Sequence, residues 1–232
     1  MKIGNREAPY SFSQNRLYND CPRKYKFRYV DGILEPTNEN LELGSAVHRV
    51  FETYYTGIDE AAKEIIINLK GFLYYNQLCK EFEQLEQVKP EYNIGRELRI
   101  ERDDFVSVID LANNYSQKRM IIHLADYKVT KKPKTINSIY DEGQLLVYKY
   151  LYCKEHPEVN PNDVYVQYIN ILPYLSSKII STTEPQMVSF ETCENLFNQI
   201  AATKEKILNG EFPKKKTWCK WCHYREICQK ED

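Results

Sequence analysis

Asp110 closes an apolar segment, FVSVID, and sixteen residues later a second one, IIHLADYK, carries Asp126 and Lys128. Adjacent antiparallel strands joined by a short loop bring such positions side by side, and residues two apart project from one face of a strand. Two carboxylates beside a lysine at a strand end can hold Mg²⁺ or Mn²⁺ and orient a water for attack on phosphorus. Lys128 suits the stabilisation of hydroxide or of charge developing on the phosphoryl group. Asp…Asp-x-Lys is by itself a common arrangement of polar strand ends, so its surroundings carry the weight. Downstream, DEGQLLVYKY sets Gln144 and Tyr148 four apart on one helical face, and upstream GSAVHRVFE sets His48 on a helix before the strands. A lone helical His, like a Gln/Tyr pair, is most often structural.

A second group lies at the end of the chain. CKWCHYREIC places Cys219, Cys222 and Cys228 in a C-x2-C-x5-C spacing. Three thiols within ten residues of a basic, aromatic-flanked tail point to metal ligation, since seven cysteines in a reducing compartment should not be disulfides. The fourth ligand can be Cys21, His223, Cys79, Cys153 or Cys193. Spacing does not choose among them, and zinc held by three Cys and one His satisfies the same donors.

These residues need elements to position them. Ser11 and Ser13 offer N-cap oxygens to a helix ending near Asp20, and Pro22 suits the first position of a new helix running through Tyr29 after a corner at Cys21. A helix is expected from about Leu41 to Tyr55, stopped by Gly57, and Asp59–Val88 reads as two helices interrupted near Gly71. Ile94–Glu101, Phe105–Ala112 and Met120–Val129 read as strands, with Asn113–Lys118 as a hairpin loop. A long helix is predicted over Ser138–Lys154, strands over Val164–Leu172 and Pro185–Phe190, and a helix over Glu191–Leu208 ending at Gly210. The order describes an α/β domain.

The chain has 232 residues and 42% hydrophobic content, enough for one domain with a substantial core. A formal net charge of -1 argues against coating nucleic acid through bulk charge but leaves room for a local basic channel. The 19 tyrosines can reflect an AT-rich coding sequence and carry little weight for base stacking. The first twenty residues hold no apolar run of signal-peptide length, and the longest apolar runs are too short to span a membrane. The protein is therefore expected to be soluble and cytoplasmic, prokaryotic or phage-encoded, with no membrane partner.

Taken together, GSAVH, VID, DYK and QLLVY in that order resemble the RecB-type branch of the PD-(D/E)XK nuclease superfamily. SFSQNRLYNDCPRKYKFRYV also looks like that family's opening segment, so the resemblance spans Ser11 to Cys228, with no motif from Asp59 to Pro90. It implies a restriction-endonuclease-like α/β core, a mixed central sheet flanked by helices, with an N-terminal helical region and a C-terminal cluster-binding tail. As a single nuclease domain over 1–232, this divides into an N-terminal ligand segment (1–40), a helical region (41–90), a catalytic core (91–190), and a helix with the Cys-rich tail (191–232). By position, the resemblance makes His48, Asp110, Asp126 and the Tyr127 carbonyl metal ligands. Lys128 assists the attacking water, and Gln144 and Tyr148 position the strand or support Lys128. Glu97 falls where relatives often carry an acid. Ser107 replaces a common Gly and Val129 a common Thr or Ser; neither change removes a group needed for chemistry. Iron–sulfur relatives, such as CRISPR adaptation nucleases and AddB-type helicase-nucleases, use one N-terminal and three C-terminal cysteines. The resemblance thus implies a 4Fe–4S cluster on Cys21, Cys219, Cys222 and Cys228, leaving Cys79, Cys153 and Cys193 as buried small hydrophobes.

Arg23 and Lys24 with Lys26 and Arg28, Lys131 and Lys132 with Lys134, and Lys215 with Lys214 and Lys216 are candidate DNA contacts, although such runs are usually solvated faces. Tyr25, Phe27, Trp218 and Trp221 could stack on unpaired bases, favouring single-stranded DNA or single-stranded ends. The leading function is an exonuclease or flap-type endonuclease in recombination, repair, phage DNA metabolism or CRISPR adaptation. No phosphate-loop motif is present, so unwinding would need a helicase or a recombination or adaptation partner. The competing readings are an inactive nuclease-like scaffold that binds DNA or protein, and a zinc-stabilised nucleic-acid-binding module.

Overall fold

The computed structural model describes residues 2–3, 6–7, 9–85, 93–116, 120–215 and 219–230. The chain divides into two compact units. One comprises 37–100 and 108–193; the other gathers 1–36, 101–107 and 194–232.

The larger unit is built on a mixed sheet. Strand β5 (Phe105–Asn114) pairs antiparallel with β6 (Ile122–Val129), which pairs parallel with β7 (Val164–Ile171), which pairs antiparallel with β8 (Ile180–Thr182); β4 (Asn93–Arg102) pairs with β5. Nearly every residue of β7 is buried. A strand buried on both faces needs cover on both. On one side lie α3 (Glu39–Thr53), α4 (Glu60–Lys70) and α5 (Phe72–Leu85), whose core includes Phe51 stacked on Phe82 at 3.9 Å with Tyr127 edge-on to Phe51 at 5.0 Å. Helix α3 starts at Asn38, whose side chain accepts from the Asn40 and Leu41 amides, and its Leu43, Ala46, Val47, Val50 and Phe51 form the buried stripe.

The other side is covered by α7 (Gln144–Glu155), preceded by α6 (Ile136–Glu142). The single helix expected over Ser138–Lys154 is thus two, because Gly143 adopts φ 77°. That left-handed residue caps α6 and restarts the chain at Gln144, a conformation that suits glycine. Helix α7 is apolar nearly all round, as a helix pressed into a core should be. Its Lys149 is fully buried, yet the ammonium donates to the Val164 and Val188 carbonyls at 2.8 and 2.5 Å, tying α7 to β7. The strand expected over Pro185–Phe190 is only an isolated bridge, Val166 to Gln186, and β8 takes the sheet edge instead. The ends of the expected segments Asp59–Val88 and Asn113–Lys118 lie outside the described residues.

In the smaller unit β1 (Lys2–Ile3) and β2 (Arg6–Glu7) form a short ribbon, and β3 (Tyr10–Ser11) runs parallel to the start of β5. Helix α1 (Phe12–Asp20) is capped by Ser11, and α2 (Pro22–Tyr25) leads into a π-helical turn, Lys26–Val30. From the other end of the chain come most of α8 (Phe190–Leu208) and α9 (Arg225–Lys230). The two chain segments interlock through Tyr18 Oη to the Glu211 carbonyl (2.5 Å), Arg23 Nε to the Phe212 carbonyl (3.0 Å) and Tyr224 Oη to the Ile33 carbonyl (2.7 Å). Tyr25 stacks on Phe212 and Phe27 packs on Tyr224, with both Tyr25 and Phe27 essentially inaccessible. This corrects their expected base-stacking role: they are the small core of this unit. Trp218 and Lys216 lie outside the described residues, as does the Trp221 side chain. Among the described residues no helix is long and apolar enough to cross a membrane.

Candidate active site

The register of β5 and β6 ends at Leu111 opposite Ala125, which leaves Asp110 and Asp126 as the next residues beyond that end of the ladder. The link is direct: Asp110 Oδ2 accepts the Tyr127 amide at 2.6 Å. Asp126 and Lys128 share the strand face that meets α7, and there four side chains close a ring. Lys128 Nζ lies 2.7 Å from Asp126 Oδ2 and donates to Gln144 Oε1 at 3.0 Å. Gln144 Nε2 donates to Tyr148 Oη at 2.9 Å, and Tyr148 donates to Asp126 Oδ1 at 3.2 Å. Gln144 and Tyr148 reach together because they are one helical turn apart on α7. The ring holds the lysine by two arms and gives it little freedom.

On the other side of Asp110 lies a second constellation. His48, on the face of α3 away from its buried stripe, places Nδ1 3.6 Å from both Glu97 Oε1 and Asp110 Oδ1, and Nε2 3.1 Å from the Tyr127 carbonyl. Ligand atoms of His48, Glu97 and Asp110 all lie within 4.8 Å of one another, the one such group of His, Cys, Asp and Glu among the described residues. Glu97 comes from β4 and sits at φ 47°. A non-glycine residue in that region costs of order 1–3 kcal/mol, and the kink turns its carboxylate towards His48.

The electrostatics are those of a site short of positive charge. Asp110 is buried and its carboxyl is pushed up to about 7, by desolvation first and the Asp126 charge second, against His48 and the Tyr127 amide. Burial disfavours the His48 cation, but the Glu97 carboxylate facing it at 3.6 Å and the charges of Asp110 and Asp126 outweigh it and raise the imidazole to about 9. Glu97 Oε1 and Asp126 Oδ2 are buried and receive no hydrogen bond, Lys128 being close enough to Asp126 for an ion pair but not aligned to donate. Orphaned anionic oxygens beside an imidazole are the donor set of a hard divalent cation, so these residues fit Mg²⁺ or Mn²⁺.

The sequence matches a known family. A family model described as the PD-(D/E)XK nuclease superfamily matches residues 9–229. The chain belongs to the PD-(D/E)XK nuclease superfamily. The nuclease is similar in fold to a crystal structure at 2.19 Å of a protein from Eubacterium rectale named as a candidate exonuclease, with a TM-score of 0.58 at 15% identity, covering 94% of this chain and 88% of that one. A second crystal structure, SSO0001, is 14% identical with a TM-score of 0.39 over 85% of this chain and 90% of that one, too weak a likeness to bear on the fold. No protein of curated function matches.

Of the residues expected from sequence, His48, Asp110, Asp126, Tyr127, Lys128, Gln144 and Tyr148 come together in the nuclease's larger unit. Asp126 is engaged with Lys128 and Tyr148, whereas Glu97 stands in the group with His48 and Asp110. Among the expected DNA contacts, Arg23 is spent on Phe212, Lys24 pairs with Glu35 at 2.7 Å, and Lys215 donates to the Asn19 carbonyl. Lys131 and Lys132 are exposed on the loop after β6, which Asn170 braces by bonding both the amide and the carbonyl of Lys134. The cysteines of the smaller unit, Cys21, Cys219, Cys222 and Cys228, are exposed or half-exposed thiols. The Cys222 thiol is pushed up by burial first, opposed by Lys24, with Cys21 and Cys219 near enough to add to the shift.

Two expectations arise here. Tyr148→Phe removes the Asp126 contact and one support of Gln144 but leaves Lys128 charged, so it should lower kcat by about tenfold, less than loss of the lysine itself; single-turnover cleavage measures this. His48 and Asp110 must each be deprotonated to bind a cation, so apparent Mn²⁺ affinity should rise steeply with pH from about 7 to 9. Isothermal titration across that range checks it, and a flat profile would contradict the charge arrangement described.

Proposed function

We propose that the protein is a divalent-metal-dependent deoxyribonuclease of the RecB-like branch, an exonuclease or flap-type endonuclease preferring single strands or single-stranded ends. The observation that supports this most is the ring Lys128–Asp126–Tyr148–Gln144 set directly beside the His48, Glu97 and Asp110 group. His48, Glu97 and Asp110 would hold the cation, with Asp126 and the Tyr127 carbonyl on its border. A bound divalent ion would supply Lewis-acid polarisation of a phosphoryl oxygen and acidify a neighbouring water. Lys128, locked by Asp126 and Gln144, would face the charge that builds on the equatorial oxygens as phosphorus is attacked. Because its ammonium is oriented before substrate arrives, little reorganisation is left for the reacting state. Lys131 and Lys132, on the braced loop that follows, would engage the strand's phosphates.

Cys21, Cys219, Cys222 and Cys228 would hold a 4Fe–4S cluster whose role is architectural, closing a loop of nearly the whole chain. The hydrogen bonds between residues 18–33 and 211–224 already align the two segments, and the donor set is all thiol, which suits a cluster. Protein purified without oxygen should be brown with broad visible absorbance. Cys21→Ala should lose that colour and release iron, and a colourless zinc-containing preparation would refute the cluster.

The catalytic reading is tested by cleavage of end-labelled single-stranded DNA with Mn²⁺, comparing the wild type with Asp126→Ala and Lys128→Ala. Cleavage by the wild type alone is the expected result. Equal cleavage by all three, or metal-independent binding without cleavage, would overturn the assignment, the latter in favour of a DNA-binding scaffold.

A further inference from the structure

A cavity of about 540 Å³ opens between α3 and the ends of β4 and β6, with His48, Glu97, Tyr127 and Lys128 among its walls. Such a volume lies within the ~300–1,000 Å³ of pockets that enclose small ligands. One wall is α3 itself, where Leu41, Gly44 and Ser45 precede His48. Gly44 lies inside this 15-residue helix, one turn before His48. Glycine in a helix interior is normally a cost, justified by a left-handed backbone or by close packing. Neither applies, because Gly44 is helical and a Cβ built on it would meet no atom within 4 Å. Among the described residues no packing contact requires the residue to be bare.

We infer that Gly44 is a substrate-contact position, its half-buried backbone forming a notch that admits the sugar of the nucleotide next to the scissile phosphate. The inference rests on the nuclease reading and deepens it. Charge favours a sugar over a phosphate. Asn40, Leu41, Gly44 and Ser45 are uncharged, Glu52 and Glu97 are acidic, and the Arg49 guanidinium is engaged by Glu52 at 2.7 Å and Asp59 at 2.9 Å. The cavity's cationic groups, Lys128 and His48, draw a phosphate to the end beside Asp126 and Asp110, which leaves the uncharged stretch at Gly44 to a neutral ring whose 3′ or 5′ phosphate reaches that end. A Cβ at position 44 would project into that space without meeting a neighbouring side chain.

The test separates substrate exclusion from damage to fold or metal site. Gly44→Ala and Gly44→Gln would be prepared in the full chain and compared with wild type for thermal midpoint, Mn²⁺ affinity by titration, and kcat and KM on a labelled single-stranded oligodeoxynucleotide. Both variants should melt above wild type, because a better helix former replaces glycine in open space. Mn²⁺ affinity should be unchanged. KM should rise with side-chain size, by about tenfold or more for Gln, with a smaller change in kcat. An unchanged KM in Gly44→Gln overturns the inference, as does a loss of Mn²⁺ affinity in step with KM, which would assign the glycine to the metal site's geometry. Should Gly44→Gln fail to fold, Gly44→Ala decides in the same way, with an unchanged KM counting against the notch. A wild type that neither binds nor cleaves the oligonucleotide removes the nuclease reading first, a pattern distinct from active wild type with indifferent variants.

Discussion

Lys128→Met should lower kcat for phosphodiester cleavage by about 10²–10³-fold, the loss expected when one preorganised charge donor is taken from a transition state. Methionine keeps the length of the side chain and much of its apolar stem, so the end of β6 should stay in place. What goes is the ammonium that Asp126 and Gln144 hold at 2.7 and 3.0 Å. Mn²⁺ affinity should not fall, since the lysine is a competing cation beside Asp126; removing it leaves the carboxylate more available. Single-turnover cleavage together with Mn²⁺ titration therefore separates the two contributions. A variant retaining more than about a tenth of wild-type kcat would show that Lys128 serves the fold rather than the reaction.

The second large effect concerns Asp110, where stability and activity should move in opposite directions. Its carboxyl is raised to about 7 by burial first and by the Asp126 charge second. A folded-state value above the unfolded one contributes stability that is present at low pH and lost as pH rises through about 7. Asn keeps the shape and can still accept the Tyr127 amide, but it carries no charge. Metal-free Asp110→Asn should thus melt above wild type at pH 8, by about 2–4 °C per kcal/mol of relieved charge, with the difference narrowing as pH falls from about 7 towards 4. The same change removes an anionic ligand. Saturating Mn²⁺ should raise the wild-type melting point at pH 8 and leave the variant almost unmoved, and cleavage should fall by at least about 10³-fold as the cation is lost. Melting curves at both pH values, with and without Mn²⁺, are sufficient. A variant that melts lower than wild type without metal at pH 8 would contradict the strained-carboxylate account.

Both expectations depend on a division of labour between two neighbouring groups. The Lys128 ring is assembled from one strand and the helix facing it, so its geometry is local to β6 and α7. The His48, Glu97 and Asp110 group draws on α3, β4 and β5, and its two carboxylates share the His48 imidazole, 3.6 Å from each, as counter-ion. Changes in the ring should act on the chemical step, whereas changes in the other group should act first on metal affinity and on the pH dependence of stability.

Much of this was legible from residue order. Period-two spacing put Asp126 and Lys128 on one strand face, four-residue spacing put Gln144 and Tyr148 on one helix face, and the Ser11 cap marked a real helix start, because those relations are set by backbone geometry within a few residues. The break at Gly143, the bridge in place of a strand at Pro185–Phe190 and the burial of Tyr25 and Phe27 were not. Each depends on what packs against the segment, which local pattern does not contain. Glu97 stands between the two cases. The family resemblance marked an acid there, but the residue pattern of RELRIE does not set it apart from an ordinary strand acid, and the left-handed backbone of β4 at Glu97 accompanies the approach of its carboxylate to His48 and Asp110. The sequence by itself determined which short-range pairs share a face; the tertiary structure decided which of those faces meet, because burial and charge balance act between segments far apart along the chain.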